Sequence, residues 1–183
     1  METNLFIPLI LGTAREGRRS EHVARFILKA VERYGGITTE LIDVRDYLFT
    51  RTDDTGESDM AKRYREKITR ADGLIIVSPE YNHGYPGELK LLLDSAYDEY
   101  AHKPVGVCGV SSGQMGGDRM MEQLRLILID FALVPIKSAI YFPYIKTLFR
   151  DGEITDPSFT ERVKKFLDEL VWFASALKAA RQS

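Results

Sequence analysis

Gly73-Leu74-Ile75-Ile76-Val77-Ser78 is the stretch of sequence that decides the fold. A continuous apolar run of this length is typical of a strand covered on both faces, as in a parallel sheet. A loop rich in turn residues follows at 79–87, and apolar residues then recur at helical spacing over 89–100. The stretch therefore predicts the central strand of an α/β fold.

The same order of strand, loop and helix recurs on both sides of this run. Apolar runs predict further strands over 5–11, 37–44, 104–110 and 134–142, and helical spacing predicts helices over 23–34, 59–70, 118–131 and 158–180. Because right-handed crossovers place helices on both faces of a parallel sheet, we expect a three-layer α/β sandwich with a five-stranded sheet of order 2-1-3-4-5. We expect one domain over 1–183, and we expect pairing of the first strand to begin after Pro8, which cannot donate a ladder hydrogen bond.

Composition limits the classes of partner and the compartment. The chain has 183 residues, 44% apolar and 28% charged, with a net charge of −2, which gives no field to attract nucleic acid or an anionic membrane. Cys108 is the single cysteine and lies in an apolar run, so no internal disulfide is possible. The first four residues lack the basic start of a signal peptide, and no apolar run approaches the roughly 18 residues of a membrane span. These features predict a cytoplasmic protein with neither nucleic-acid nor membrane partners.

Three loops are predicted to meet at one edge of the sheet, because loops at the carboxyl ends of parallel strands share an edge. The first reads Gly12-Thr13-Ala14-Arg15-Glu16-Gly17-Arg18-Arg19-Ser20. Its hydroxyls, its three arginines and the following helix N-terminus suit a phosphate dianion. The alternative is that Ser20 is only a helix cap and the arginines are solvated.

Two known nucleotide motifs do not fit the first loop. Gly12 and Gly17 have P-loop spacing, but Arg18-Arg19 stands where Lys-Ser or Lys-Thr is required, so a nucleoside triphosphatase is not expected. The loop also lacks the G-x-G-x-x-G pattern of an NAD-type Rossmann domain.

The second loop reads Ser78-Pro79-Glu80-Tyr81-Asn82-His83-Gly84-Tyr85-Pro86-Gly87. Its aromatics, amide and prolines suit a rigid wall for a flat heteroaromatic ring, while the alternative is a structural turn. The third loop, residues 111–117, contains Ser111, Ser112 and Gly113 and fits the G-x-S-x-G pattern of a serine hydrolase. All three histidines precede Ser111, so the chain order of a hydrolase triad cannot form, and we expect this loop to line the ring instead.

The combined motifs give a specific resemblance. Gly12-Thr13-x-Arg15, Ser78-Pro79-Glu80-Tyr81-Asn82 and Pro86-Gly87-x-Leu89-Lys90 resemble the NADPH-dependent FMN reductase family over nearly the whole chain. The resemblance implies a flavodoxin-like fold, bound FMN, NADPH or NADH as electron donor, a homodimer or homotetramer, and a small-molecule acceptor. Quinones, azo compounds, free flavins and metal oxyanions are the implied acceptors.

The resemblance also implies the roles of individual residues. Thr13 and Arg15 hold the FMN phosphate, and residues 79–82 run along the isoalloxazine ring with mainly backbone contacts. The chain departs from the family at Arg18, where a phosphate-binding Ser or Thr is usual, so either Arg18 or Ser20 takes that task. Ser95 stands where the family often has Trp, in a helix that commonly forms the dimer contact.

Two rivals share the predicted architecture. A flavodoxin-type electron carrier is usually strongly acidic, with a Ser and Thr phosphate loop, whereas this chain is near neutral and carries three arginines there. A receiver-type signalling domain requires acidic residues after the first and third strands, where this chain has Gly12-Thr13 and Ser78-Pro79. Because a bound flavin would carry the chemistry, no side chain is predicted as catalytic.

Overall fold

In the computed structural model, which describes residues 4–51 and 57–183, a mostly parallel sheet lies at the centre. The strands are β1 (Leu5–Phe6), β2 (Leu9–Leu11), β3 (Ile37–Thr38), β4 (Leu41–Asp43), β5 (Leu74–Pro79), β6 (Pro104–Val110), β7 (Val134–Pro135), β8 (Ile140–Phe142), β9 (Phe149–Arg150) and β10 (Glu153–Ile154). The main sheet order is β4-β2-β5-β6-β7, and β8 also pairs with β6. Separately, β1 pairs with β3, and β9 forms a hairpin with β10.

Helices cover both faces of the sheet. They are α1 (Ser20–Tyr34), α2 (Asp59–Arg70), α3 (Gly87–Leu93), α4 (Asp118–Asp130), α5 (Ile145–Leu148) and α6 (Ser158–Arg181). One apolar core lies between the sheet and α1 with α6, and a second lies between the sheet and α2, α3 and α4. This arrangement confirms the predicted α/β class. Within the described ranges, no helix combines the length and the apolar character needed to cross a membrane.

The expectation for Pro8 was wrong, because pairing occurs on both sides of it. The Ile7 N–H donates to the Thr38 carbonyl at 2.9 Å, and the Pro8 carbonyl itself accepts from the Ile75 N–H at 3.0 Å. Proline therefore costs the sheet one donor and divides one predicted strand into β1 and β2.

Other predicted elements are shorter or divided in the structure, among them the strand predicted over 37–44, which is divided into β3 and β4. The helix predicted over 89–100 ends at Leu93, where the Ser95 hydroxyl donates to the Leu92 carbonyl at 2.6 Å, and a 3-10 turn, Asp98–Tyr100, follows. The strand predicted over 134–142 is divided into β7 and β8. The loop predicted over 50–58 falls partly outside the described residues.

Candidate functional site

The three predicted loops meet at the carboxyl edge of the sheet, around a cavity of about 230 Å³. A fourth segment, the start of α5, completes its wall. The lining residues are Arg15, Glu16, Gly17, Arg18, Arg19, Ser20, Pro79, Glu80, Tyr81, Val110, Ser111, Ser112, Ile145 and Lys146. Of the predicted site residues, Gly12, Thr13, Asn82 and Gly113 lie outside this lining.

Ser20 and the first turn of α1 form the most strongly anion-directed part of the cavity. The helix begins at Ser20 after Arg19, whose side chain makes no capping hydrogen bond. The Ser20 side chain is buried, with the residue 2% exposed, and its hydroxyl has no hydrogen-bond partner in the part of the chain that the structure describes. Unpaired N–H groups and the helix dipole favour an anion at such a terminus, and a buried hydroxyl without a partner is costly unless a ligand supplies one.

Arg18 also lines the cavity, but its guanidinium is engaged within the protein. It forms two hydrogen bonds with the Asp43 carboxylate at the end of β4, and Nη1 donates to the Thr13 carbonyl at 2.6 Å. Nε lies 3.5 Å from Glu21 Oε2 without a hydrogen bond. The charge of Arg18 is thus already balanced by an internal carboxylate, which leaves Ser20 as the better candidate for the phosphate hydroxyl.

The pKa values of this pair follow from the same contacts. The hydrogen bond to Asp43 raises the pKa of Arg18 against the opposing effect of burial. Burial acts to raise the pKa of Asp43, but the Arg18 guanidinium and the Arg45 N–H outweigh it and lower that pKa. Both groups are therefore charged at neutral pH.

Three other basic side chains at the cavity are exposed. They are Arg15, Arg19 and Lys146, and among the described residues none of them forms a salt bridge. The Arg15 guanidinium lies over the Tyr81 ring, 5.4 Å from its centroid, which is within cation–π range. These side chains supply positive charge that is free to meet an anionic ligand.

Gly12 and Thr13 support the first loop from beneath. A Cβ on Gly12 would lie 3.0 Å from Leu89 Cδ2, so the glycine permits close packing of α3 against the loop. Thr13 is fully buried, and its hydroxyl accepts from the Arg15 N–H at 3.2 Å and is 3.0 Å from the Tyr81 hydroxyl. Thr13 thus ties the first loop to the second.

The second loop is a turn held by three backbone hydrogen bonds. Glu80 N–H donates to the Val110 carbonyl at 2.9 Å, and Tyr81 pairs with Gly84 in both directions at 2.9 Å. Asn82 is exposed, with a φ of 48°, and no partner of its N–H is found among the described residues. A ring lying along residues 79–82 would therefore find the Asn82 N–H, which has no partner among the described residues, together with carbonyl groups.

The third loop does not have the contacts of a hydrolase nucleophile. The Ser111 hydroxyl donates to the Gly113 carbonyl at 3.0 Å. His22 stacks on Phe149, and His83 contacts Arg119, so neither is hydrogen-bonded to Ser111. Ser111 and Ser112 line the cavity, and the Gly113 carbonyl also accepts from the Tyr144 N–H at 3.1 Å.

Sequence reasoning missed three residues that shape the site. Asp43 is the last residue of β4, Arg45 follows two residues later, and Lys146 belongs to the short helix after β8. Their position at or just beyond the carboxyl end of a strand was the signal available, since ligands of such sheets bind at that edge.

Comparisons with known proteins agree with the fold and the motifs. The sequence model of the family described as NADPH-dependent FMN reductase matches residues 7–146. A quinone reductase of Pseudomonas putida is 27% identical over 186 residues, covering 96% of each chain. An FMN-dependent NADPH-azoreductase of Staphylococcus saprophyticus is 28% identical over 178 residues, covering 90% of this chain and 93% of that one.

The fold has a near counterpart among solved structures. FerB, a flavoenzyme NAD(P)H:(acceptor) oxidoreductase from Paracoccus denitrificans, superposes with a TM-score of 0.80 at 22% identity, covering 94% of this chain and 98% of that chain. The likeness places this chain among flavodoxin-like structures. Because the family match spans most of the sequence and includes all three loops, the chain belongs to the NADPH-dependent FMN reductase family.

Proposed function

We propose that this protein is an FMN-dependent NAD(P)H oxidoreductase that passes electrons from NADPH or NADH to a small-molecule acceptor. The observation that carries the proposal is the buried, unpartnered hydroxyl of Ser20 at the uncapped start of α1. It lies in a cavity that Arg15 and Lys146 also line. A phosphate monoester would supply the missing acceptor at Ser20 and meet the free positive charges.

The chain's own residues then have distinct tasks. Ser20, the α1 N-terminus and Arg15 bind the phosphate of FMN, with Arg19 and Lys146 adding positive charge. The turn 79–82 orients the isoalloxazine ring, and Ser111 and Ser112 form another part of the cavity wall. When bound, FMN supplies the two-electron chemistry, accepting hydride from the nicotinamide and reducing the acceptor.

Acceptor class follows from the relatives rather than from a dedicated pocket. The two curated relatives are named a quinone reductase and an azoreductase. We therefore propose quinones and azo compounds as the first acceptors to assay, with free flavins and metal oxyanions as further candidates from the resemblance. No side-chain nucleophile is required for any of these reductions.

Compartment and assembly are part of the same proposal. We propose a cytoplasmic location, supported by a buried Cys108 that forms no disulfide. The exposed apolar side chains of α4 support a homodimer or homotetramer that would cover them. Leu126 and Ile129 of this helix are 71% and 61% exposed. Light scattering of the wild type and of Leu126→Glu tests the assembly, and a monomeric wild type would contradict it.

A cofactor titration followed by a turnover assay tests the function. FMN, riboflavin and FAD are titrated separately into the apoprotein, and we expect FMN to bind most tightly because the cavity is suited to a terminal phosphate. NADPH-driven quinone reduction is then measured with and without FMN. Tighter binding of FAD, or turnover that does not depend on FMN, would contradict the proposal.

A further inference from the structure

Three consecutive carbonyl groups of the first loop are each bound by a guanidinium. The Thr13 carbonyl accepts from Arg18 Nη1 at 2.6 Å. The next two accept from Arg45, whose Nε lies 3.3 Å from the Ala14 carbonyl and whose Nη2 lies 2.7 Å from the Arg15 carbonyl. The carbonyl oxygens of this loop segment are thus all held by arginine side chains.

Asp43 anchors both arginines. Its carboxylate receives the forked guanidinium of Arg18, and its Oδ1 also accepts from the backbone N–H of Arg45 at 3.0 Å. Asp43 lies at the end of β4, next to β2, from which the first loop emerges. The carboxylate therefore fixes one donor from the loop itself, Arg18, and holds the backbone of a second donor from outside it, Arg45. We name Asp43, Arg18 and Arg45 the loop brace.

The loop brace has an electrostatic consequence at the cavity. In a planar trans peptide, the carbonyl and the following N–H point in opposite directions. Holding the Arg15 carbonyl toward Arg45 turns the Glu16 N–H the other way, and this N–H has no protein partner among the described residues. Glu16 lines the cavity. An anion there meets an N–H group rather than repulsive carbonyl oxygens.

Arg45 itself is exposed and does not line the cavity. Its guanidinium is engaged by two loop carbonyls and is not part of the cavity lining, so a direct contact with phosphate is not needed to explain its position. The G-x-x-R motif contains neither Arg45 nor Asp43. Their contribution becomes visible only when β4 is placed beside β2.

We propose that Asp43 and Arg45 are positioning residues for the phosphate end of the FMN site, acting by holding the carbonyls of residues 13–15 away from the anion. This inference rests on the proposed function. It predicts that replacing Asp43 or Arg45 weakens the binding only of ligands that carry the phosphate. Riboflavin, which shares the ring and ribityl chain but lacks the phosphate, is therefore the discriminating probe.

The test measures dissociation constants of FMN and riboflavin for the wild type and for Arg45→Ala. We expect about a tenfold loss of FMN affinity, the value of one charge-assisted hydrogen bond such as that from the Glu16 N–H to the phosphate. The riboflavin affinity should be unchanged. Arg45→Lys keeps the charge and one donor group and should recover part of the loss. Asp43→Asn should reduce FMN affinity in the same selective way. If that variant does not fold, Arg45→Ala still tests the inference, because Arg45 is exposed and its replacement should leave the fold intact.

Arg63→Ala is the matched control. Arg63 is also exposed and also donates from Nη2 to a backbone carbonyl, that of Asp46, at 2.7 Å, but this carbonyl lies outside the first loop. Arg63→Ala should leave the dissociation constants of FMN and of riboflavin unchanged. A wild type that does not bind FMN would overturn the proposed function and this inference with it. Wild-type FMN binding with no selective loss in Arg45→Ala would overturn the inference alone, as would equal weakening of both ligands.

Discussion

Ser20→Ala should weaken FMN binding without destabilising the apoprotein. The hydroxyl is buried without a partner, and such a group costs about 1 to 3 kcal/mol, so removing it should leave the apoprotein equally stable or more stable. In the proposed FMN complex the same hydroxyl would donate to a phosphate dianion. Losing that bond should cost about 1.5 to 3 kcal/mol, or roughly ten- to a hundredfold in affinity.

Fluorescence titrations with FMN and riboflavin measure the affinities, and thermal unfolding of the apoprotein measures stability. Thr39→Val is the control, because the Thr39 hydroxyl is also buried without a partner but lies between β3 and β4, outside the cavity. Thr39→Val should likewise leave the apoprotein equally stable or more stable, and it should leave FMN affinity unchanged. Unchanged FMN affinity in Ser20→Ala, with a less stable apoprotein, would refute the assignment and return Ser20 to a structural role.

Four further predictions concern other parts of the chain. Arg15→Ala should weaken FMN binding about ten- to a hundredfold without loss of stability, since its guanidinium is exposed; an equal loss of riboflavin affinity would contradict a phosphate contact. Gly106→Ala should destabilise the fold by about 1 to 3 kcal/mol in urea unfolding, because the new Cβ would overlap the Phe166 ring of α6; an unchanged midpoint would contradict this packing. Burial lowers the pKa of Lys103 to about 8 against about 10.4 in an unfolded chain, so its contribution to stability should rise between these pH values by about 1 to 3 kcal/mol. Lys103→Met should lack that rise in stability. Identical dependence of the free energy of unfolding on pH in the wild type and Lys103→Met would refute the assignment to Lys103. Ser111→Ala should retain NADPH-driven quinone reduction, whereas stoichiometric labelling of wild-type Ser111 by a serine-directed phosphonate would contradict its assignment to the flavin cavity.

The fold class was predictable because its signals are local. Apolar runs such as 73–78 and the helical spacing over 158–180 are properties of short windows, and their alternation indicates a parallel sheet. Element ends were less predictable. At the end of α3, the Ser95 hydroxyl donates to the Leu92 carbonyl, a local side-chain contact that periodicity does not reveal.

The site was predictable at the level of loops and less so at the level of atoms. The three loops were placed together by the rule for the carboxyl edge of a parallel sheet, and they do line one cavity. The choice between Arg18 and Ser20 stayed open because it depends on Asp43, which is 25 residues from Arg18. Lys146 was missed because the short helix α5 has no periodic signal in four residues.

Anaerobic reduction of the FMN-loaded protein tests the central claim most directly. The visible flavin absorbance is followed while NADPH and then, separately, NADH are added without oxygen, after which a quinone is introduced. An NAD(P)H oxidoreductase of this kind should lose the absorbance at once with at least one nicotinamide donor and regain it on addition of quinone. Absorbance that persists with both donors, in a protein that holds FMN, would contradict the account and leave an electron carrier that depends on a separate reductase.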